Sequence, residues 1–61
     1  MYNKYAALRD KEGVTDYAVA KGTGINASTF TDWKAGRSQP KLDKLVKIAA
    51  FFDVPIEYFI D

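Results

Sequence analysis

Hydrophobic residues recur three or four positions apart along most of the 61-residue chain, and glycine or proline separates one such stretch from the next. This spacing puts apolar side chains on one face of an amphipathic helix. The pattern therefore predicts an all-α fold of five short helices. The chain contains no repeat, linker or low-complexity segment, so residues 1–61 are expected to form a single domain.

The first and the last two predicted helices supply core residues from both ends of the chain. The first covers residues 2–11 and carries Tyr5 and Leu8 on one face. The fourth covers residues 42–52, and a short last helix follows Pro55, since proline is tolerated in a first helical turn. The residues predicted to face inward from these last two helices are Leu42, Leu45, Ile48, Ala49, Phe52 and Phe59.

The two middle helices have specific start and stop signals. Thr15 is a good N-cap, and Gly24 can take the left-handed conformation that ends a helix. Asn26 is the N-cap signal of the next helix, and Gly36 stops that helix. The core residues predicted between these signals are Val19, Ala20, Ile25, Phe30 and Trp33.

The residue types present exclude several classes of function. The chain has no cysteine and no histidine, which removes disulfides, thiol nucleophiles, imidazole bases and nearly all zinc sites. It has no phosphate-binding loop or clustered carboxylates, and so short a chain can build only a shallow pocket. We therefore expect no enzymatic activity, no cofactor and no metal. No apolar run approaches a membrane-spanning length, and the start does not read as a secretory signal.

The net charge of +1 conceals an uneven distribution of charged residues. Residues 1–33 carry four basic and four acidic groups, residues 34–47 carry five basic groups against one acidic group, and residues 48–61 carry three acidic groups. A basic stretch beside an acidic tail is typical of one face that meets a polyanion. A solvated, charge-rich helix surface would give the same distribution.

The pattern of residues 15–36 predicts two helices that cross each other in close packing. Ala20 is small enough to let the second helix approach the third, and Gly24 makes the turn between them. With Phe30 and Trp33 inward, the opposite face of the third helix carries short side chains, which a helix needs in order to lie deep in a groove about 12 Å wide. The outward residues are Ser28, Thr31, Asp32 and Ala35, with Asn26 and Ala27 at the amino end.

This register resembles the lambda-type Cro and repressor helix-turn-helix family, also called the xenobiotic-response-element family. The run Asp32-Trp33-Lys34-Ala35-Gly36-Arg37, followed by Pro40-Lys41, is similar to phage and mobile-element repressors. The resemblance implies a compact five-helix DNA-binding domain, with the helix-turn-helix at about residues 15–35 and residues 26–35 as the helix that enters the major groove. The other matching residues are Leu8, Arg9, Thr15, Val19, Ala20, Gly24, Ile25, Phe30, Leu45, Ile48, Ala49, Val54 and Phe59.

The resemblance also implies DNA contacts at three groups of residues. One group touches bases or the adjoining backbone, a second places the amino end of the second helix against a phosphate, and a third contacts the backbone after the third helix. In that order, the groups are Asn26, Ala27, Ser28, Thr31 and Asp32; Thr15, Asp16 and Tyr17; and Lys34, Gly36, Arg37 and Ser38.

Two departures from the family pattern change the expected contacts. Asp16 stands where glutamine is frequent, and phosphate would repel its carboxylate, so only its backbone N–H is expected to make a contact. Lys34 stands where a glutamate frequently pairs with the arginine at the position of Arg9. That pair cannot form here, which frees Lys34 for DNA and leaves Arg9 to pair with Asp10, Asp32 or solvent.

Several residues have more than one interpretation from sequence. Asp32 could accept a hydrogen bond from a cytosine amino group, or it could cap or pair locally. Arg37 is the best single candidate for a phosphate contact, against the alternative of a solvated loop arginine.

Asp53 replaces a frequent C-capping glycine, so the fourth helix is expected to end less tightly. The apolar residues that would form either a self-association patch or more core are Phe51, Tyr58 and Ile60.

The sequence leads to the hypothesis of a sequence-specific regulator of transcription that binds double-stranded DNA. It would act as a repressor by binding a palindromic operator as a symmetric homodimer. The alternative is a protein-interaction module that retains the helix-turn-helix fold without specific DNA binding. Besides duplex DNA, an antirepressor or a C-terminal domain missing from this chain is a candidate partner. The expected location is the bacterial cytoplasm, in association with the nucleoid, with no membrane contact.

Overall fold

A computed structural model describes residues 1–60 as four α-helices followed by one turn of 3₁₀ helix. The helices are α1 (Tyr2–Glu12), α2 (Asp16–Thr23), α3 (Ala27–Ala35) and α4 (Leu42–Phe51), and the 3₁₀ helix is Ile56–Tyr58. The predicted all-α class is confirmed, since all regular secondary structure in these residues is helical. The fifth predicted helix is the 3₁₀ turn. None of the helices described is both long and apolar enough to cross a membrane.

The predicted caps define both ends of the two middle helices. Thr15 Oγ1 accepts a hydrogen bond from the Ala18 N–H at 3.1 Å, and Asn26 Oδ1 accepts one from the Ser28 N–H at 2.9 Å. Each bond satisfies a donor that the first turn of a helix otherwise leaves unpaired. The left-handed residues that follow α1, α2 and α3 are Gly13, Gly24 and Gly36. These caps leave only a short turn between α2 and α3.

The core is centred on the ring of Tyr5. This ring stacks on Phe30 with the centroids 5.3 Å apart and on Trp33 with the centroids 5.1 Å apart. Such aromatic pairs add stability beyond the area that they bury. The contacts fix which face of α3 is inward and therefore which face is outward. The buried apolar residues are Tyr5, Leu8, Val19, Ala20, Ile25, Phe30, Trp33, Leu45, Ile48, Ala49 and Phe59.

Two residues predicted to face the core from α4 do not belong fully to it. Leu42 is 60% exposed, so its assignment as a core residue is wrong. It lies on the predicted face, but as the first residue of α4 it stands a turn before Leu45, where burial begins. Phe52 is half-buried and packs against the edge of the core as the C-cap of the helix. Periodicity identifies the correct face of a helix but not how far along it the core extends.

The end of α4 is closed more completely than its sequence predicts. Asp53 takes a left-handed conformation with φ of 57°. Its N–H donates to the Ala50 carbonyl at 3.2 Å, and the Val54 N–H donates to the Ala49 carbonyl at 3.0 Å. These two bonds form a Schellman motif, in which glycine is the usual left-handed residue. The hydrogen bonds of this helix end are therefore not looser than those of a glycine cap. Asp53 makes them in a left-handed conformation that is strained for a residue with a Cβ atom.

Three apolar residues near the carboxyl end remain at the surface. Phe51, Tyr58 and Ile60 are 38%, 39% and 45% exposed. The ring of Phe51 covers Gly22 of α2, where a Cβ atom would overlap it. Their interpretation as additional core residues is thus wrong, while a role in self-association stays a prediction.

Candidate nucleic-acid interface

The outer face of α3 carries short side chains that solvent reaches. Phe30 and Trp33 are buried beneath the helix, whereas Ser28 and Thr31 on the other side are exposed. Hydroxyl groups can donate to or accept from base edges and phosphate oxygens alike. This face is therefore exposed and carries short, polar side chains.

The amino end of α3 adds further polar groups to the same side. Asn26 uses its side-chain oxygen to cap the helix, which leaves the two N–H donors of its amide group for other partners. Ala27 is exposed next to it and has no bulk beyond its methyl group. Apolar contact of this kind suits the methyl group of thymine.

The amino end of α2 presents backbone donors. Thr15 satisfies the Ala18 N–H, whereas the N–H groups of Asp16 and Tyr17 precede the first intrahelical hydrogen bond. The positive end of the helix dipole favours an anion at this position. The ring of Tyr17 is 70% exposed beside these donors.

The carboxylate of Asp16 turns away from this helix end and joins a network with α1. Asp16 Oδ1 accepts from the Tyr5 hydroxyl at 2.6 Å and from Arg9 Nη1 at 3.0 Å. Arg9 Nε also donates to Asp10 at 3.1 Å, and Arg9 Nη1 lies 3.4 Å from the Tyr2 hydroxyl. The negative charge that would repel a phosphate is therefore balanced by the guanidinium.

The pKa values of Tyr5 and Arg9, two members of this hydrogen-bond network, are both raised. Burial, followed by the hydrogen bond to Asp16, raises the pKa of Tyr5 above its ordinary range. Hydrogen bonds to Asp16, Asp10 and Tyr2, in that order, raise the pKa of Arg9. Both groups therefore hold their protons firmly, which keeps the Asp16 carboxylate hydrogen-bonded.

Asp10 is one of the partners that the sequence predicts for Arg9, and that pairing is confirmed. Asp16 is a partner that the sequence does not predict. It lies seven residues after Arg9 and on the next helix, and only the bend after α1 brings the two together. No local spacing rule would have identified it.

The carboxyl end of α3 joins two of the predicted site residues. Arg37 Nε donates to Asp32 Oδ1 at 3.0 Å, and Arg37 Nη2 forms an ion pair with the same oxygen at 2.9 Å. The pair is accessible, with 62% of the Arg37 side chain and 41% of the Asp32 side chain exposed. Of the two interpretations of Asp32, local pairing is the one present in this structure.

Comparison with known proteins agrees with this geometry. Residues 6–59 match the profile of a family described as helix-turn-helix. The chain belongs to the Cro/C1-type helix-turn-helix family. This confirms the resemblance drawn from the sequence, since the profile runs from within α1 through the 3₁₀ turn.

Two relatives extend the comparison. The chain is 33% identical over 54 residues to the cryptic phage CTXphi transcriptional repressor RstR of Vibrio cholerae, covering 88% of this chain and 49% of the relative. It is 34% identical over 53 residues to the uncharacterized HTH-type transcriptional regulator YobD of Bacillus subtilis (strain 168), covering 87% and 47%. The chain thus spans about half the length of these relatives. No solved structure matches it significantly.

Ten of the twelve residues predicted from this family to contact DNA are exposed, and Asp16 and Asp32 are half-buried. Lys34 is exposed at the last turn of α3 and Ser38 is exposed in the loop that follows. These positions lie at the amino end of α2, along the outer side of α3 and in the turn and loop that follow α3. Contact of each residue with DNA stays a prediction.

Lys21 lies next to this surface but is not among the residues that the sequence predicts to contact DNA. The Lys21 ammonium lies 5.9 Å from the centroid of the Tyr17 ring, a cation–π distance. Both residues border a shallow recess of about 390 Å³ that reaches Ala27 at the start of α3. The four-residue spacing of Lys21 from Tyr17 is the signal that could have identified it.

Proposed function

We propose that this chain binds duplex DNA as the DNA-reading part of a transcriptional regulator, with α3 in the major groove. One observation supports the proposal: the outer face of α3 carries exposed, short side chains, and the protein belongs to the helix-turn-helix family. Ser28 and Thr31 would contact base edges, with Asn26 and Ala27 at the amino end of the helix.

Phosphate contacts would fix the register of α3 in the groove. The backbone N–H groups of Asp16 and Tyr17 would meet one strand, and Arg37, Lys34 and Ser38 would meet the backbone near the other end of α3. Balancing the Asp16 carboxylate with Arg9 supports this arrangement, because an uncompensated acid at that helix end would oppose a phosphate. These contacts supply affinity but little sequence preference.

Repression and binding to a palindromic operator as a homodimer are the finer parts of the proposal. A relative named as a transcriptional repressor supports repression. A symmetric pair would place two copies of α3 about one helical turn of DNA apart. The bacterial cytoplasm is the proposed place of action, and family membership agrees with the expectation that the chain is not an enzyme.

Selection of bound duplexes from a random pool tests the proposal. We expect an enriched sequence with two inverted half-sites, whose spacing reports the geometry of the pair. Enrichment of an unrepeated site would refute the homodimer, and no enrichment would refute specific binding. Failure to retain any duplex at low salt would instead favour the protein-interaction module.

The reading face is tested on the selected site with the variant Ser28→Ala/Thr31→Ala. We expect its affinity to fall roughly tenfold or more, because good base contacts contribute about 1–3 kcal/mol each. Asn3→Ala, an exposed polar residue on α1, is the matched control and should bind normally. Unchanged affinity in the double variant would exclude this face as the base-reading surface.

A further inference from the structure

Asp32 and Arg37 are joined through both their backbones and their side chains. The Arg37 N–H donates to the Asp32 carbonyl at 2.9 Å, and the Gly36 N–H donates to the Trp33 carbonyl at 3.1 Å. These bonds close the end of α3 in a Schellman motif, with Gly36 in the left-handed conformation at φ of 78°. The turn brings the Arg37 side chain back beside Asp32, where Nε donates to Oδ1 and Nη2 forms an ion pair with it.

This arrangement uses only part of the hydrogen-bonding capacity of Arg37. A guanidinium has five N–H donors in a planar fork. The Nε donor is directed to Asp32 Oδ1, with Nη2 in an ion pair with the same oxygen, and the other donors are left for another acceptor. A guanidinium whose orientation is already fixed loses less conformational freedom when it binds an anion.

The same pairing constrains what Asp32 can do. A free carboxylate on the outer side of α3 would repel the DNA backbone, whereas one paired with Arg37 has its charge balanced. Its Oδ1 already accepts a hydrogen bond from Arg37 Nε and lies 2.9 Å from Nη2 in the ion pair. Reading a cytosine amino group with this oxygen would mean giving up contacts to Arg37.

We infer that Asp32 is a positioning residue that orients Arg37 toward a DNA phosphate, and that Asp32 does not read a base. Sequence reading is then confined to the amino-terminal part of α3, at Asn26, Ala27, Ser28 and Thr31. This inference rests on the proposed function, since it assigns roles within the same DNA-binding surface. It separates Asp32 from Asn26, Ala27, Ser28 and Thr31, with which the family resemblance groups it.

Stability of the fold offers no comparable explanation for the pair. Both side chains are substantially exposed, and ion pairs of this kind typically contribute little to folding. We therefore expect variants at position 32 to unfold at nearly the same denaturant concentration as the parent chain. Effects on DNA binding would then report positioning rather than loss of structure.

The test compares Asp32→Asn with Asp32→Ala on the selected duplex, each with Arg37 present and with Arg37→Ala. Both substitutions remove the same negative charge, but only asparagine keeps an oxygen that can accept from Arg37. With Arg37 present, we expect Asp32→Asn to bind roughly two- to fourfold more tightly than Asp32→Ala. In the Arg37→Ala background, the two should bind equally. Selection with Asp32→Ala should return the same preferred bases as the parent chain.

Two outcomes would overturn the inference while leaving the proposed function intact. The first is an equal difference between asparagine and alanine in both backgrounds, or no difference in either. The second is a changed base preference at one position of the half-site in Asp32→Ala. If the parent chain itself selects no sequence, the proposed function fails and this inference fails with it.

Discussion

The Tyr5 hydroxyl donates a 2.6 Å hydrogen bond to Asp16 Oδ1, and this bond ties the buried face of α1 to the amino end of α2. Tyr5 also stacks on both buried aromatic rings of α3. One side chain therefore fixes the positions of both helices of the helix-turn-helix. The arrangement explains how so small a core can hold a reading helix in a defined orientation.

Tyr5→Phe should lower the free energy of unfolding by about 1–2 kcal/mol, because it removes a hydrogen bond to a charged acceptor while keeping the ring. Denaturant unfolding measures this loss. Tyr2→Phe is the matched control, since it removes only the 3.4 Å contact with Arg9 and should cost less. If Tyr5→Phe lost no more stability than Tyr2→Phe, the hydrogen bond from the Tyr5 hydroxyl would not be a principal link between α1 and α2.

The raised pKa of Tyr5 should make the fold less stable at high pH. Above the ordinary tyrosine pKa of about 10, the unfolded chain releases this proton while the folded chain retains it, so unfolding is favoured as pH rises. The contribution of Tyr5 to the free energy of unfolding is fully present below about pH 10. Above that pH it falls by up to about 1.4 kcal/mol per pH unit.

Denaturant unfolding between pH 9 and pH 11.5 checks this dependence, with Tyr5→Phe as the comparison. The two chains share every other ionisable group, so the difference between the two curves isolates Tyr5. The parent chain should lose stability more steeply than Tyr5→Phe. Parallel curves would mean that the Tyr5 proton is bound equally in the folded and unfolded states.

Asp53→Gly should raise the free energy of unfolding by about 0.5–1 kcal/mol. Glycine adopts the left-handed conformation of this residue at no steric cost, and the change also removes a negative charge from the carboxyl end of α4. Asp53→Asn separates the two effects, because it removes only the charge and should gain less. A loss of stability in Asp53→Gly would contradict the assigned strain.

Arg37→Ala should weaken binding to all duplexes by a similar factor and reduce the slope of log affinity against log salt by about one unit. The reason is that a phosphate contact carries no base preference. Filter binding at several salt concentrations measures both quantities, with Lys11→Ala on α1 as the control. A loss restricted to the selected sequence would mean that Arg37 reads a base.

Features that depend on neighbouring residues were predictable from the sequence. Thr15, Asn26 and Gly36 mark helix ends through bonds made within a few residues, and the structure confirms all three. Phe30 and Trp33 follow from helical spacing in the same way. The sequence alone therefore predicts which face of α3 is buried and which is exposed.

Features that depend on how helices meet were not predictable in the same way. The pairing of Arg9 with Asp16 exists because the bend after α1 brings the two side chains together, and spacing does not encode that contact. Leu42 follows the helical pattern but lies where the core has ended. The pairing of Asp32 with Arg37 was one of two open interpretations, and only the turn at Gly36 decides it.

The central claim is that the outer side of α3 meets the DNA, and an NMR titration of the ¹⁵N-labelled chain with the selected duplex tests it most directly. The account predicts the largest backbone amide shifts at residues 26–32, with a second group at residues 15–17. Shifts confined to the exposed side of α4 and the segment after it, around Val46 and Ile60, would contradict the account.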